Sequence, residues 1–312
     1  MMTIIVKKNF SPSLFKIIKD KLNNHELVSL PTETVYGLAG LGTKILSAKK
    51  IYKLKNRPLH KKLIFHCSDL KMVKKFFFLD QENEILAKRF WPGPLTLILR
   101  RKSLQIPKSL TINNDCAVRI PKNDFTIELI KKMGLPLIMP SANRFKKLSP
   151  INAKMVSNQF EGTNLLIIDG GKCKIGLEST LIRIFKNKLE IIRPGKISLS
   201  HIKKVLPYIN LFKNKEKFFS GTSKKHYSPK KKIYLDVKKP ANNSAYLNFG
   251  KKHTKEFKNL SEKGNLNEAA KNLYHFIFLA DQNNDFKTIS IAPIPHGDIG
   301  EAINDRLKRA AR

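Results

Sequence analysis

The sequence predicts an α/β protein built as two unequal units, and three observations predict it. Short apolar runs alternate with amphipathic stretches of helical period along most of the chain. Proline, glycine and Ser-x-Asn turns stand at the ends of those runs. A basic stretch poor in apolar residues, 213–232, interrupts the alternation before it resumes on a smaller scale. At 312 residues with 41% hydrophobic content, the chain can fold two units with proper cores.

Each element has a local reason. Ser11-Pro12 supplies an N-cap and a first-turn proline for a helix over 10–22, with Leu14, Phe15, Ile18 and Leu22 on its apolar stripe. Residues 27–30 read as a buried strand that Pro31 stops, since proline has no N–H to give. Thr32, Glu33 and Thr34 then place two hydroxyls and a carboxylate at the strand's end, and Gly37, Gly40 and Gly42 allow close backbone approach to a ligand. A helix over 47–55 turns Ile51 and Leu54 inward and delivers Lys55-Asn56-Arg57-Pro58. A short strand over 63–66 ends on His66.

Helices over 69–77 and 82–89 follow, and the Pro92-Gly93-Pro94 break leads into a strand over 95–100, with Trp91 as a packing residue. The strand 116–121 embeds Arg119, and an arginine in an apolar run needs an anionic partner or a polar cavity, so an internal salt bridge and a ligand are both open. After a helix over 125–132, the strand 135–140 ends just before Ser141-Ala142-Asn143. Ser149 reads as the cap of a helix over 150–159. Strands over 164–168, from 177 to 182 and up to 195 complete the larger unit. The smaller unit has strands over 233–237, 245–249 and 288–292 and helices over 266–279 and 300–311.

Hydroxyls, glycines and paired cations at strand ends suggest an anion-binding crevice; the plain alternative is a strand, a turn and a basic helix end. The formal charge of +36 invites a nucleic-acid reading, but lysine outnumbers arginine about fourfold and is spread along the whole chain, which also fits a compositional bias. Cys67, Cys116 and Cys173 lack C-x-x-C spacing and fit reduced cytoplasmic thiols. No apolar run approaches the roughly 18–20 residues of a membrane span, and the first ten residues do not read as a signal peptide.

Pro31-Thr32-Glu33-Thr34-Val35-Tyr36-Gly37-Leu38, then Lys55-x-Arg57-Pro58, then Leu63-Ile64-x-His66 resembles the signature of the YrdC-type, threonylcarbamoyl-AMP synthase family. His226-Tyr227-x-Pro229 and Ala302 to Leu307 resemble the linker and ending of its two-domain form. The resemblance implies a twisted mixed sheet with helices around an open cavity over 1–210, a linker serving as active-site lid over 211–232, and a small Rossmann-like α/β domain over 233–312. It implies synthesis of threonylcarbamoyl-AMP and pyrophosphate from L-threonine, bicarbonate or carbon dioxide, and ATP. Magnesium arrives with the ATP, and the product passes to a separate transferase that modifies tRNA.

By the same resemblance Thr34, His66, Arg119, Met139 and Ser179 match threonine-binding positions. Lys55, Arg57, Lys61, Asp115, Ser141, Asn143, Ser149, Arg193 and Tyr227 match ATP positions. Two of these depart from the pattern: Lys61-Lys62 stands where the family has Asn-Pro, and Asp115 where it has threonine. Lys61 still donates hydrogen bonds, whereas an ionised Asp115 cannot. The competing readings are an RNA-binding module of this fold, suited to the charge, and the carbamoyl chemistry of hydrogenase-maturation domains, whose extra zinc-finger and acyl-phosphatase-like segments are not seen here.

Overall fold

The computed structural model describes residues 3–7, 11–212 and 225–312. Phe10, the first residue of the expected opening helix, and positions 213–224 of the expected linker, including Ser220-Gly221-Thr222-Ser223, lie outside the described residues.

Among the described residues the larger unit is one mixed sheet of eleven strands. In chain order they are β1 (Ile4–Lys7), β2 (Val28–Leu30), β3 (Gly37–Leu41), β4 (Ile64–His66), β5 (Leu95–Arg100), β6 (Asp115–Arg119), β7 (Leu137–Ile138), β8 (Leu166–Asp169), β9 (Thr180–Phe185), β10 (Lys188–Arg193) and β11 (Asn210–Leu211). Their spatial order is β1-β8-β2-β3-β7-β4-β6-β5-β9-β10-β11. Helices α1 (Pro12–Asn23), α2 (Ile45–Lys55), α3 (Leu70–Phe76), α4 (Gln81–Phe90), α5 (Asp124–Met133), α6 (Ala153–Gln159) and α7 (Leu199–Lys203) surround it. The smaller unit has the parallel strands β12 (Lys232–Tyr234), β13 (Ser244–Asn248), β14 (Glu256–Asn259) and β15 (Thr288–Ile291), ordered β12-β15-β13-β14, with α8 (Leu266–Gln282) and α9 (Ile299–Ala310).

The helix ends follow their capping chemistry. The Ser11 hydroxyl accepts the Leu14 N–H, with Pro12 opening α1 as expected. Asn152, not Ser149, caps α6 by accepting the Met155 N–H, so that helix starts three residues after its expected first residue. Helix α2 stops on Asn56, whose left-handed φ of 51° turns the chain just before Arg57.

The glycine run is a strand rather than a loop. Gly37–Leu41 pairs with β2 on one side and β7 on the other. A Cβ on Gly40 would meet Ser47, Ile51 and Leu27, and one on Gly42 would lie 2.7 Å from the Pro136 carbonyl oxygen. Gly40 and Gly42 therefore let α2 and the β7 approach pack closely, and ligand approach is not their role.

One sheet face decides where a site can lie. Helices α1 and α5 cover β2, β3 and β8 with a core that includes Phe15, Ile18, Leu129 and Ile130. Farther along the same face the apolar floor shrinks to a separate small cluster, Ile64, Ile98, Ala117 and Leu181, with Ile112 and Ile192 beside it. Among the described residues no helix contributes to that cluster, which leaves a hollow over β4, β6, β5 and β9. On the opposite face a large core runs from α2, α3 and α4 through to α8 and α9, joining the two units.

Candidate active site

The hollow's polar end is set by strand register. Strands β4 and β6 are parallel, and His66 is the Cα partner of Arg119. Alternation puts both side chains on the hollow's face with Ile64 and Ala117. Beyond β2, the Thr32 hydroxyl donates to the Val35 carbonyl at 2.6 Å and accepts the backbone N–H groups of Thr34 and Val35, which folds the segment into a hydroxyl-closed turn.

That turn presents Glu33 to Arg119. The Arg119 Nη2 donates to Glu33 Oε1 at 2.6 Å, and Nη1 donates to the Thr34 hydroxyl at 3.2 Å. Glu33 Oε2 accepts the Lys122 N–H. The salt bridge left open by the sequence exists, yet it does not use up the guanidinium: Arg119 Nε is buried with no hydrogen-bond partner among the described residues. His66 places Nδ1 3.2 Å from the Ile64 carbonyl. An Nδ1–H donated there leaves Nε2 as an acceptor, and burial together with the Arg119 charge pulls the ring well below the usual histidine range, so it is neutral.

Thr34, His66, Arg119, Met139, Ser141, Ser179 and Arg193 all line a single cavity with Thr32, Tyr36, Glu178 and neighbouring backbone. Its volume is ≈ 30 Å³.

The cations gather beside it. Lys55 is fully buried at the end of α2, and its ammonium donates to the carbonyl oxygens of Ser141 and Asn143. Burial and the neighbouring Arg57 pull its pKa well below the ordinary lysine value. Arg57 donates from Nε to the Lys61 carbonyl at 2.9 Å and from Nη2 to that of Lys62 at 3.2 Å, and burial lowers it to about 10. Lys61 thus contributes a backbone oxygen that orients Arg57. Arg193 holds the Ser179 carbonyl and hydroxyl, each at 3.1 Å. Asn143 donates to the Arg144 and Lys147 carbonyls and accepts from Ser141, shaping the turn after β7.

Asp115 is not brought to this cavity. It sits at the opposite end of β6, across from Arg100, on a separate cavity of ≈ 440 Å³ with Arg183, Phe185, Lys188, Glu190 and Phe212. Burial raises its pKa against the pull of Arg183 and Arg100.

The remaining wall comes from the linker and the smaller unit. Tyr227 is buried, its ring stacks on Tyr274 of α8 at 5.6 Å, and the Arg306 guanidinium of α9 lies 5.3 Å from its centre. Its hydroxyl is buried without a partner among the described residues. Glu178 accepts the Ser149 hydroxyl on one oxygen; on the other it accepts Arg306 Nε at 2.9 Å and the Tyr274 hydroxyl at 3.1 Å. Burial pushes Glu178 up, but Arg306, Arg193 and the hydrogen bond from Ser149 outweigh it and hold the carboxyl at about 2. Sequence reasoning noted Thr32 and Glu33 only as polar groups at the strand's end and assigned no site role to Glu178, Tyr274 or Arg306. Glu33 and Glu178 each adjoin a residue it did assign, and that adjacency was the available signal.

Comparison with known proteins agrees with this geometry. Residues 20–195 match the family described as telomere recombination, and residues 197–312 match the C-terminal domain of threonylcarbamoyl-AMP synthase. The Bacillus subtilis threonylcarbamoyl-AMP synthase is 32% identical over 93% of this chain and 90% of its own length. The chain belongs to the threonylcarbamoyl-AMP synthase family. The Pyrococcus abyssi threonylcarbamoyl-AMP synthase is 38% identical over 67% of this chain, which spans 63% of that relative's length. A crystal structure of the P. abyssi protein complexed with L-threonine superposes with a TM-score of 0.88 at 28% identity, covering 100% of this chain and 98% of that one. As a member of the threonylcarbamoyl-AMP synthase family the protein is an enzyme of the transferase class. Among the described residues, no cluster of three His, Cys, Asp or Glu is placed to hold a metal ion, and no helix is long and apolar enough to cross a membrane.

Proposed function

We propose that the protein joins L-threonine, bicarbonate or carbon dioxide, and ATP into L-threonylcarbamoyl-AMP and pyrophosphate, and so acts as a nucleotidyltransferase. The observation that carries this reading is a half-paired Arg119 beside the neutral His66, adjoining the buried cation Lys55 whose partners are carbonyl oxygens. The first end fits an amino acid. Arg119 Nε and the Thr34 hydroxyl meet the carboxylate, the Met139 backbone and Ser179 border it, and His66 Nε2 accepts an N–H of the amine.

In the first step the threonine ammonium and bicarbonate give the N-carboxylate, one water and one proton. In the second a carbamate oxygen attacks the α-phosphorus of ATP. The phosphorus–oxygen bond to the β-phosphate breaks, and pyrophosphate leaves with the electron pair. Lys55, Arg57 and Arg193 face the triphosphate, which arrives with its magnesium ion, and offset the charge growing on the leaving group. Ser141, Asn143 and Ser149 hold the turn and wall against which the nucleotide lies, and Tyr227 covers it. Exclusion of water matters because both the carbamate and the mixed anhydride hydrolyse.

We assign residues 1–210 to the catalytic domain, 211–232 to the linker and lid, and 233–312 to the small domain. The product is handed to a tRNA-modifying transferase in the cytoplasm, and the +36 charge supports a surface contact with tRNA. Purified protein with ATP, magnesium, bicarbonate and labelled threonine tests the reading. Threonine-dependent pyrophosphate release is expected, and ATP left intact in the presence of threonine would rule it out.

A further inference from the structure

Tyr227 occupies a backbone conformation, φ 61°, that bulky side chains rarely adopt. Something must hold it there. On its N-terminal side the His226 N–H donates to the Arg309 carbonyl of α9, and on its C-terminal side the Ser228 N–H donates to the Lys146 carbonyl of the larger unit. The ring itself lies between Tyr274 and Arg306.

Arg306 is fully buried, in the middle of α9, and its guanidinium spreads over three directions. Nε goes to Glu178, Nη2 to the Pro194 carbonyl at 2.9 Å and Nη1 to Asp305 at 2.7 Å. Two of those partners belong to the cavity's frame. Glu178 lines it, and Pro194 follows Arg193, which lines it too. A carboxylate in the wall of a site for a triphosphate is a liability unless a cation neutralises it. The nearest cation for Glu178 comes from the other unit.

We propose that Arg306 is a positioning residue for the nucleotide site: it neutralises Glu178 so that polyphosphate can approach, and it seats Tyr227 as the cover. Tyr274 completes the seat through its hydroxyl bond to Glu178 and its stacked ring. On this view the smaller unit contributes to catalysis without touching the reacting atoms. The proposal rests on the reading of the cavity as an ATP site.

The test uses the full chain with Arg306→Met and Arg306→Lys. Methionine keeps bulk and removes charge, whereas lysine keeps the charge but loses the planar fork that spans Glu178 and Pro194. The second variant is needed because loss of one partner of a buried pair also destabilises a fold. Arg306→Met should raise the KM for ATP at least tenfold while the KM for threonine moves less than threefold, with Arg306→Lys falling between. Trypsin cleavage after the exposed Lys225 should quicken at least fivefold in Arg306→Met without ligand.

A purely structural role would lower the active fraction and the unfolding midpoint in both variants, leaving the KM for ATP and the Lys225 cleavage rate of folded protein unchanged. That outcome overturns the proposal. If the wild-type protein releases no pyrophosphate, the function fails, and the cleavage assay alone decides whether Arg306 seats the lid.

Discussion

Glu33→Gln asks whether Arg119 is a cation kept ready by a buried carboxylate. The two charged groups lie 2.6 Å apart and each side chain is 4% exposed. Removing one charge of such a pair leaves the other buried and uncompensated, at a cost of about 3–5 kcal/mol. Glutamine keeps the shape and an accepting oxygen for Nη2, which favours the lower figure. At about 2–4 °C per kcal/mol, the unfolding midpoint should then fall by roughly 6–12 °C. Thermal unfolding followed by circular dichroism reads this directly. L-Threonine adds the second half of the test. A ligand at a hundred times its Kd stabilises any binder by about 2.7 kcal/mol. In the variant the threonine carboxylate also supplies the charge that Arg119 has lost, so threonine should bind more tightly, and at the same free threonine concentration its shift should exceed that of the wild type. A drop below about 3 °C, or equal threonine shifts in the two proteins, refutes the account of Arg119 as both paired and available to substrate.

Other outcomes follow from the same geometry. Arg57→Ala should cut pyrophosphate release about tenfold or more, equivalent to roughly 1.4 kcal/mol, and near-normal turnover in folded protein would remove Arg57 from the phosphate site. Burial pulls His226 down to about 3, and burial with Arg119 holds His66 well below its usual range. Both rings therefore fold neutral while the unfolded chain takes up protons below pH about 6.5, and stability is lost on acidification at up to ~1.4 kcal/mol per pH unit for each ring. Glu178, held near 2, adds its own loss only as the pH falls from about 4.5 toward 2. With His275 also lowered by burial, His226→Asn should reduce the slope between pH 6 and 5 in urea titrations by about a third, and an unchanged slope counts against a buried neutral ring. A Cβ on Gly195 would lie 2.3 Å from the Thr180 nitrogen and 2.7 Å from the Ser179 carbonyl carbon. Gly195→Ala should therefore disturb the Arg193–Ser179 contact and lower turnover more than tenfold; full activity would show that the wall yields freely.

What was legible in the chain was mostly local. The Ser11 cap, the Asp124–Met133 helix with its stop at Gly134, and the strands bearing His66 and Arg119 follow from patterns within a few residues. The strand Gly37–Leu41 was hidden because glycine and alanine carry little strand preference; its neighbours on both sides impose the extended form. Ser149 looked like a cap because serine before proline is a common helix start, but its hydroxyl is taken by Glu178, 29 residues away. The Arg306–Glu178 bond joins residues 128 apart, and no periodicity or motif length reaches that far. The cluster of Thr34, His66 and Arg119 is built by one turn and two neighbouring strands, which is why its parts were locally readable, while the wall formed by Tyr227, Tyr274 and Arg306 needed both units in place.

The pairing of His66 with Arg119 across a parallel ladder makes the site tolerant of one kind of change and intolerant of another. Their separation is set by backbone hydrogen bonds, so replacing the side chains around them leaves it untouched. Inserting or deleting one residue within β4 or β6 is different in kind. The side-chain period of a strand is two, and a shift of one turns the imidazole or the guanidinium out of the hollow and into the apolar layer beneath. Lineages carrying this fold should therefore drift widely in side chains along these strands while the number of residues within β4 and β6 stays fixed.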